Sequence, residues 1–149
     1  MKILIIALSG IGDAIMFTPA LQLLKQQYPH AEIDMLTMIK GVTDIFERSE
    51  LFTQVFHWDF LKQGVPRSLG FLRTLRKKEY DISINVFPAN RKEYNIISFL
   101  IGAQKRIGTD YLNLNKSSLS FLLTDRTKEI DSLHNVEENC RLVELAGVK

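Results

Sequence analysis

The stretch LSGIGDAIMFTPALQLLKQQYP, residues 8–29, decides how the chain is read. An apolar run, Ile3 to Leu8, enters it, a turn of small residues follows, and a helical pattern leaves it. A continuous apolar run is what a strand covered on both faces requires. A small-residue turn opening a helix is where many α/β proteins hold phosphate on bare backbone amides. Here the turn carries Asp13, whose charge would repel a phosphate lying on those amides. Gly10 and Gly12 supply the first two glycines of a dinucleotide fingerprint, but Ile15 stands at the third. The acid expected to bind ribose is also misplaced, because Glu32 and Asp34 fall at the beginning of the second strand, whose far end reads Leu36-Thr37-Met38. No Gly-Lys-Ser/Thr follows, which excludes a P-loop.

Outward from this stretch, strand and helix signals alternate. KILIIAL is the first strand, and Ile15, Met16, Leu21, Leu24 and Tyr28 make a helical stripe from Asp13 to Tyr28. Pro19 inside that stripe predicts either a kink or a restart, with Thr18 as cap and Pro19 as first helical residue. Strands are expected at Glu32–Thr37, Val55–Trp58, Tyr80–Phe87 and Lys105–Gly108. Helices are expected over GVTDIFERS, over Pro66–Lys78 with Leu69, Leu72 and Leu75 inward, and over Asn90–Ile101. In the fourth strand Ile82, Ile84 and Val86 face one way, and Ser83 and Asn85 the other. Asp110 to Asp131 has no clear period. Asn135 and Glu138 have capping-box spacing and Gly147 suits a helix end, which sets a last helix at Val136–Ala146. The order βαβαβαβαβ predicts an α/β, Rossmann-like, doubly wound parallel sheet in a single domain, residues 1–149. Ligands of such sheets bind outside the carboxyl ends of the strands, near the reversal of strand order, where Ser9–Asp13 and Pro88–Lys92 both fall.

Composition sets the outer limits. The 149 residues, 46% hydrophobic and 24% charged, are ordinary for a globular domain. The net charge of +2 is too small to direct the chain to nucleic acid. The single cysteine, Cys140, excludes an internal disulfide and suits a reducing compartment; its helical spacing with Val136 and Val143 marks a buried, inert thiol. MKILIIAL begins like a secretory leader, but Ser9, Gly10, Gly12 and Asp13 interrupt it and amphipathic sequence follows. No apolar run approaches the ~18 residues needed to span a bilayer. His30, His57 and His134 have no metal-ligand spacing.

Asp13 admits two readings on chemistry alone. As a first-turn acid it is favoured by the helix dipole by about 0.3–1 kcal/mol. As a fixed carboxylate at a cleft mouth it can take a proton from a substrate hydroxyl.

Residues 2–37 resemble the amino-terminal signature of glycosyltransferase family 9, which contains the ADP-heptose:lipopolysaccharide heptosyltransferases. That signature runs from an apolar strand through a turn ending Gly-Asp and a Thr-Pro-Ala-Leu helix to Tyr-Pro and a second strand. YDISINVFPANRKEYNIISFLIGAQKRIG and HNVEENCRLVELAGV are similar to two later blocks of the family, so the resemblance spans nearly the whole chain. It implies the amino-terminal, acceptor-binding half of a GT-B fold, in which two Rossmann-like domains face each other across a cleft. It also implies an inverting, metal-independent transferase that needs no cofactor, with Asp13 as the general base. The donor, a nucleotide-sugar such as ADP-heptose, would bind a carboxyl-terminal domain that this chain does not contain. The implied acceptor is an anionic lipopolysaccharide-core glycan, met in the cytoplasm at the inner membrane's cytoplasmic face, with peripheral membrane association. The isolated chain is accordingly expected to be inactive. Two positions depart from the family pattern: Asn85 stands where an Asp is often found, and Glu138 where an Arg is common.

Under that resemblance Gly10 and Gly12, with Ser9 beside them, leave room for a sugar against the backbone, and Gly12 is expected to let the chain turn sharply into the helix. Lys62 to Lys78 holds six basic residues and no acid. Arg73, Arg76 and Lys77 lie opposite the leucine stripe and read as solvated. Lys62, Arg67, Asn90 and above all Arg91 are the candidates for an anionic acceptor, since a guanidinium can grip a carboxylate or phosphate with two bonds. Two alternatives remain on the sequence. One is a stand-alone nucleotide- or sugar-binding module without catalysis. The other, a receiver-type regulatory domain, would need a second acid beside Asp13, and none follows it in sequence.

Overall fold

A computed structural model describes residues 1–111 and 115–149. Among the described residues six strands form one parallel sheet: β1 (Lys2–Ala7), β2 (Glu32–Thr37), β3 (Gln54–His57), β4 (Ile82–Asn85), β5 (Lys105–Asp110) and β6 (Asp125–Lys128). Their order is β3-β2-β1-β4-β5-β6, with every pairing parallel. This is the doubly wound Rossmann order, and the reversal lies between β1 and β4. Seven helices among the described residues connect and cover it: α1 (Ile11–Met16), α2 (Thr18–Gln27), α3 (Lys40–Glu47), α4 (Phe60–Gln63), α5 (Val65–Arg76), α6 (Lys92–Ile101) and α7 (Asn135–Leu145). Two 3₁₀ turns, Asn115–Ser118 and Ser120–Leu122, precede β6. Strand β6 lies in the stretch without a clear period, of which residues 112–114 fall outside the described residues.

Strand alternation divides the core between the two faces of the sheet. Ile3, Ile5, Ile33 and Met35 pack under Phe17, Leu21, Leu24, Phe46, Leu142 and Val143. Leu4, Ile6 and Leu36 pack under Leu72, Leu75, Ile97 and Ile101. The central strands are therefore apolar on both sides, which is why β1 reads as an unbroken apolar run.

Several boundaries differ from the sequence reading for local reasons. Pro19 does force a restart, but one residue early: Phe17 is the cap, Thr18 opens α2 and Pro19 is its second residue. Leu69 is not inward; it is 48% exposed, while Leu72 and Leu75 are buried with Ser68. The last capping box is shifted by one residue. His134 Nδ1 accepts from the Val136 N–H (3.2 Å) and Glu137 accepts from the His134 N–H (2.9 Å). Glu138 cannot serve in that box because it is turned inward, 1% exposed, accepting from the Ile130 N–H (2.7 Å) and pairing with Arg141 (2.6 Å).

Candidate functional site

The carboxyl ends of β1 to β4 open on a cleft of about 400 Å³ at the strand-order reversal. Leu8 after β1, Met38 after β2, and Phe60 and Leu61 after β3 line one side. Arg91, Glu93, Tyr94 and Ile97, on the loop after β4 and the first turns of α6, line the other. The walls are mainly apolar, with one cation, one carboxylate and one phenol among them.

Asp13 is the third residue of α1, whose N-cap is Gly10. It is half-buried, and among the described residues its carboxylate has no hydrogen-bond or ion-pair partner. It therefore caps nothing with its side chain. Its charge reaches Tyr94, which lines the cleft. Burial pushes that phenol above its ordinary range, the Arg91 guanidinium pulls it back, and the carboxylates of Asp13 and Glu93 add to the rise. Tyr94 thus feels both Asp13 and Arg91, although Asp13 is not among the residues that line the cleft.

The other expected residues divide. Ser9 and Gly10 are half-buried beside Asp13, and Gly12 is exposed. A Cβ added at Gly10 or Gly12 would meet nothing within 4 Å, so open space lies over this backbone. The expected turn-making role of Gly12 is not found. Gly12 lies inside α1 without a positive φ, and the chain enters the helix through Gly10 at φ −68°, an angle any residue adopts. Asn90 is exposed on the β4–α6 loop and Arg91 is the N-cap of α6. Lys62, on α4 next to Leu61, is 85% exposed and 3.6 Å from Asp59, which caps α4. Arg67 is exposed in the first turn of α5 and is not among the cleft-lining residues.

The loop that presents Asn90 and Arg91 is held from behind by residues the sequence reading passed over. Asn139 on α7, fully buried, clamps both backbone groups of Phe87: its Oδ1 accepts from the Phe87 N–H (2.9 Å) and its Nδ2 donates to the Phe87 carbonyl (3.3 Å). Nδ2 also donates to the Asn135 carbonyl (2.9 Å). Tyr111 accepts from the Ala89 N–H and stacks on Phe87 at 5.7 Å. Phe87–Pro88 is a cis peptide. One signal could have found Asn139: it is a polar residue on the apolar stripe of its helix, beside Leu142 and Val143. Tyr94 was likewise legible, one turn beyond Arg91 on a helix that starts there.

Underneath, α6 meets β4 through a polar seam. Ser83 bonds Ser98 (3.1 Å), Asn85 Nδ2 donates to Asn95 Oδ1 (3.0 Å), and Asn95 Nδ2 donates to the Ser118 carbonyl (2.8 Å). Strand spacing of two meets helix spacing of three, which fixes how far α6 can slide and hence where Arg91 and Tyr94 stand. Far from the cleft, buried Asp34 accepts from the Tyr80 hydroxyl (2.6 Å) and pairs with Lys78 (3.3 Å). Trp58 stacks on Phe71 at 4.4 Å and donates to Ser68 (3.0 Å). Cys140 is half-buried, and desolvation with Glu144 and Glu137 pushes its thiol up, away from reactivity. No cluster of His, Cys, Asp or Glu among the described residues could hold a metal ion, and no helix there is long and apolar enough to cross a membrane.

Fold and cleft together define a doubly wound, Rossmann-like α/β domain with an open site at its strand-order reversal. Neither a protein-family model nor a curated protein matches the sequence. Solved structures match the fold along the chain. An E. coli heptosyltransferase WaaC with ADP-2-deoxy-2-fluoro heptose superposes at TM-score 0.83, with 19% identity over 100% of this chain and 49% of that one. E. coli ADP-heptose LPS heptosyltransferase II gives 0.75 and 22% identity, over 95% and 40%. A glycosyltransferase family 9 protein from Veillonella parvula gives 0.76 and 21%, over 99% and 41%. The chain thus has the fold of part of the heptosyltransferases and spans less than half the length of each of these proteins.

Proposed function

We propose that this chain is the acceptor-binding half of an inverting, metal-independent glycosyltransferase, which moves heptose or a related sugar from a nucleotide-sugar to an anionic lipopolysaccharide-core acceptor. One observation carries the reading: Asp13, a carboxylate without partners among the described residues, stands in the first turn of the helix after β1, and its charge acts with that of Arg91 on Tyr94 in the lining of the switch-point cleft. A buried ion pair would disable a base; Asp13 has none among the described residues. Its carboxylate accepts the proton of the acceptor hydroxyl as that oxygen attacks the donor's anomeric carbon. The bond from that carbon to the nucleotide breaks, the nucleotide leaves with the electron pair, and configuration inverts. Arg91, with Asn90, grips an acceptor carboxylate or phosphate and so sets the attacking hydroxyl against Asp13. Lys62 and Arg67 add positive charge around the approach, and the open backbone at Ser9, Gly10 and Gly12 admits the sugar. The donor site, the linkage to a second domain and the cytoplasmic location at the inner membrane belong to the same proposal.

Titration of the isotope-labelled chain with an acidic core sugar such as Kdo, and separately with ADP, tests this by NMR. Shifts at Ser9–Asp13 and Arg91 with the sugar and not with ADP are expected. Shifts at the same turn with ADP alone would replace the acceptor reading with a nucleotide-binding module. In a protein that joins this chain to a donor-binding half, Asp13→Asn should abolish turnover while leaving acceptor affinity nearly unchanged; normal turnover would remove Asp13 from the mechanism.

A further inference from the structure

At the carboxyl ends of β2 and β3, outside the cleft lining, three side chains form a chain of hydrogen bonds. Thr37, the last residue of β2, and Thr43, in the first turn of α3, are 0% and 2% exposed, and their hydroxyl oxygens lie 2.6 Å apart. Thr37 Oγ1 is 3.1 Å from the Phe56 carbonyl oxygen, and Thr43 Oγ1 is 2.9 Å from His57 Nδ1. His57 ends β3 in register with Thr37, and it is exposed.

Counting protons along this chain fixes the tautomer of the imidazole. Two hydroxyls bring two protons to three contacts, so the third must come from His57. With Nδ1 protonated, His57 donates to Thr43, Thr43 to Thr37 and Thr37 to the Phe56 carbonyl, and every contact holds one proton. With Nδ1 bare, Thr37 must donate to Thr43 and Thr43 to the ring. The Thr37 and Phe56 oxygens then face each other at 3.1 Å without a proton. Turning the Thr43 hydroxyl to the Ile39 carbonyl does not rescue a bare Nδ1, because the contact with the ring is then empty. That carbonyl is also 3.3 Å away and already accepts from the Val42 and Thr43 N–H groups. Buried hydroxyls keep their hydrogen bonds, so the neutral ring carries its proton on Nδ1. Its Nε2 is left with a lone pair and, among the described residues, no partner.

We infer that His57 is a further ligand-binding residue of this site, held by Thr43 and Thr37 so that Nε2 accepts a hydrogen bond from a ligand hydroxyl. It stands on the face of the sheet that carries Asp13. Thr43 belongs to α3, and α3 abuts α1, where Ile11 Cδ1 lies 2.9 Å from a Cβ placed at Gly41. A bare ring nitrogen accepts and cannot donate, so it selects a ligand that offers hydroxyls, as a sugar does. The tautomer stands on the proton count alone; the ligand contact rests on the acceptor reading.

Proton–nitrogen correlation NMR on the neutral ring of the whole chain tests the inference. In the parent, Nδ1 is expected to resonate as the protonated nitrogen and Nε2 as the bare one; the reverse would overturn it. Thr43→Val removes the hydroxyl that holds the ring and should move His57 toward the Nε2–H form, with circular dichroism confirming the fold. A ring that ignores Thr43→Val would also overturn the inference. Titration with Kdo should shift Nε2, and His57→Phe, at an exposed position, should weaken Kdo binding about three- to tenfold. Kdo that shifts Ser9–Asp13 but leaves Nε2 unmoved, or that binds His57→Phe as tightly as the parent, would overturn the contact and leave the acceptor reading standing. Kdo that shifts neither would remove the acceptor reading and the contact together.

Discussion

Replacing Asn139 by leucine removes the clamp behind the β4–α6 loop. The two side chains share a branched four-atom skeleton, but leucine's methyls are bulkier, so overpacking at this fully buried site adds to the loss. The Phe87 N–H, in a residue 8% exposed, loses its acceptor, and the Phe87 carbonyl loses its donor. A buried donor left unpaired costs about 1–3 kcal/mol, and with the second bond the total is about 2–4 kcal/mol. For a chain of this size about 3 kcal/mol lowers Tm by roughly 6–12 °C. Urea unfolding followed by circular dichroism measures the loss, and amide exchange at Phe87 and Ala89 locates it. Asn139→Asp sharpens the reasoning, because the new carboxyl keeps the acceptor for the Phe87 N–H but turns an oxygen to the Phe87 and Asn135 carbonyls. Burial beside those oxygens raises its folded pKa above the unfolded value of about 3.9. A raised folded pKa gives stability that is present below the unfolded pKa and lost as pH rises. Asn139→Asp should therefore approach the parent at acidic pH and fall furthest behind it at neutral pH. A Tm for Asn139→Leu within measurement error of the parent, or an Asn139→Asp deficit that does not grow with pH, would refute the clamp.

Four further outcomes follow from the same geometry. Tyr80→Phe removes the hydroxyl held by buried Asp34 and should cost about 1.5–3 kcal/mol in urea titration. Burial first, then Asp34, raises the Tyr80 phenol above its ordinary 10.0; stability from this group is present below that pH and lost above it, so the alkaline decline should be shallower in Tyr80→Phe. Gly108→Ala places a methyl 2.7 Å from a Leu123 Cδ atom and should destabilise by about 1–3 kcal/mol in the same assay. Gly10→Ala meets no atom within 4 Å and should leave the urea midpoint unchanged while weakening the NMR-detected sugar complex; undiminished sugar affinity would take the acceptor away from this backbone. Leu24→Ala, at a fully buried position, should cost about 2–5 kcal/mol by thermal unfolding.

Much of this was written in the chain itself. The apolar run of β1, the alternation of Ile82, Ile84 and Val86, and the helical stripes between them specify a parallel doubly wound sheet, because each strand must bury two faces and each crossover one. The Gly-Asp turn after β1 and the loop after β4 follow from that topology as the candidate site, and the sequence places Asp13 on the one and Arg91 on the other. Strand β6 and helix α4 were not. Asp125–Lys128 is four polar residues whose strand state comes from pairing with β5, and Phe60–Gln63 is a single turn made by the Asp59 cap. Leu69 shows the limit of periodicity, which finds an apolar stripe but not the angle at which the helix meets the sheet. The polar groups needed tertiary structure most. Asn139 reaches Phe87 across 52 residues and Tyr80 reaches Asp34 across 46. A hydrogen bond needs a partner at a set distance and direction, and burial requires that one be found; the sequence names the donors and acceptors, and only the folded chain pairs them.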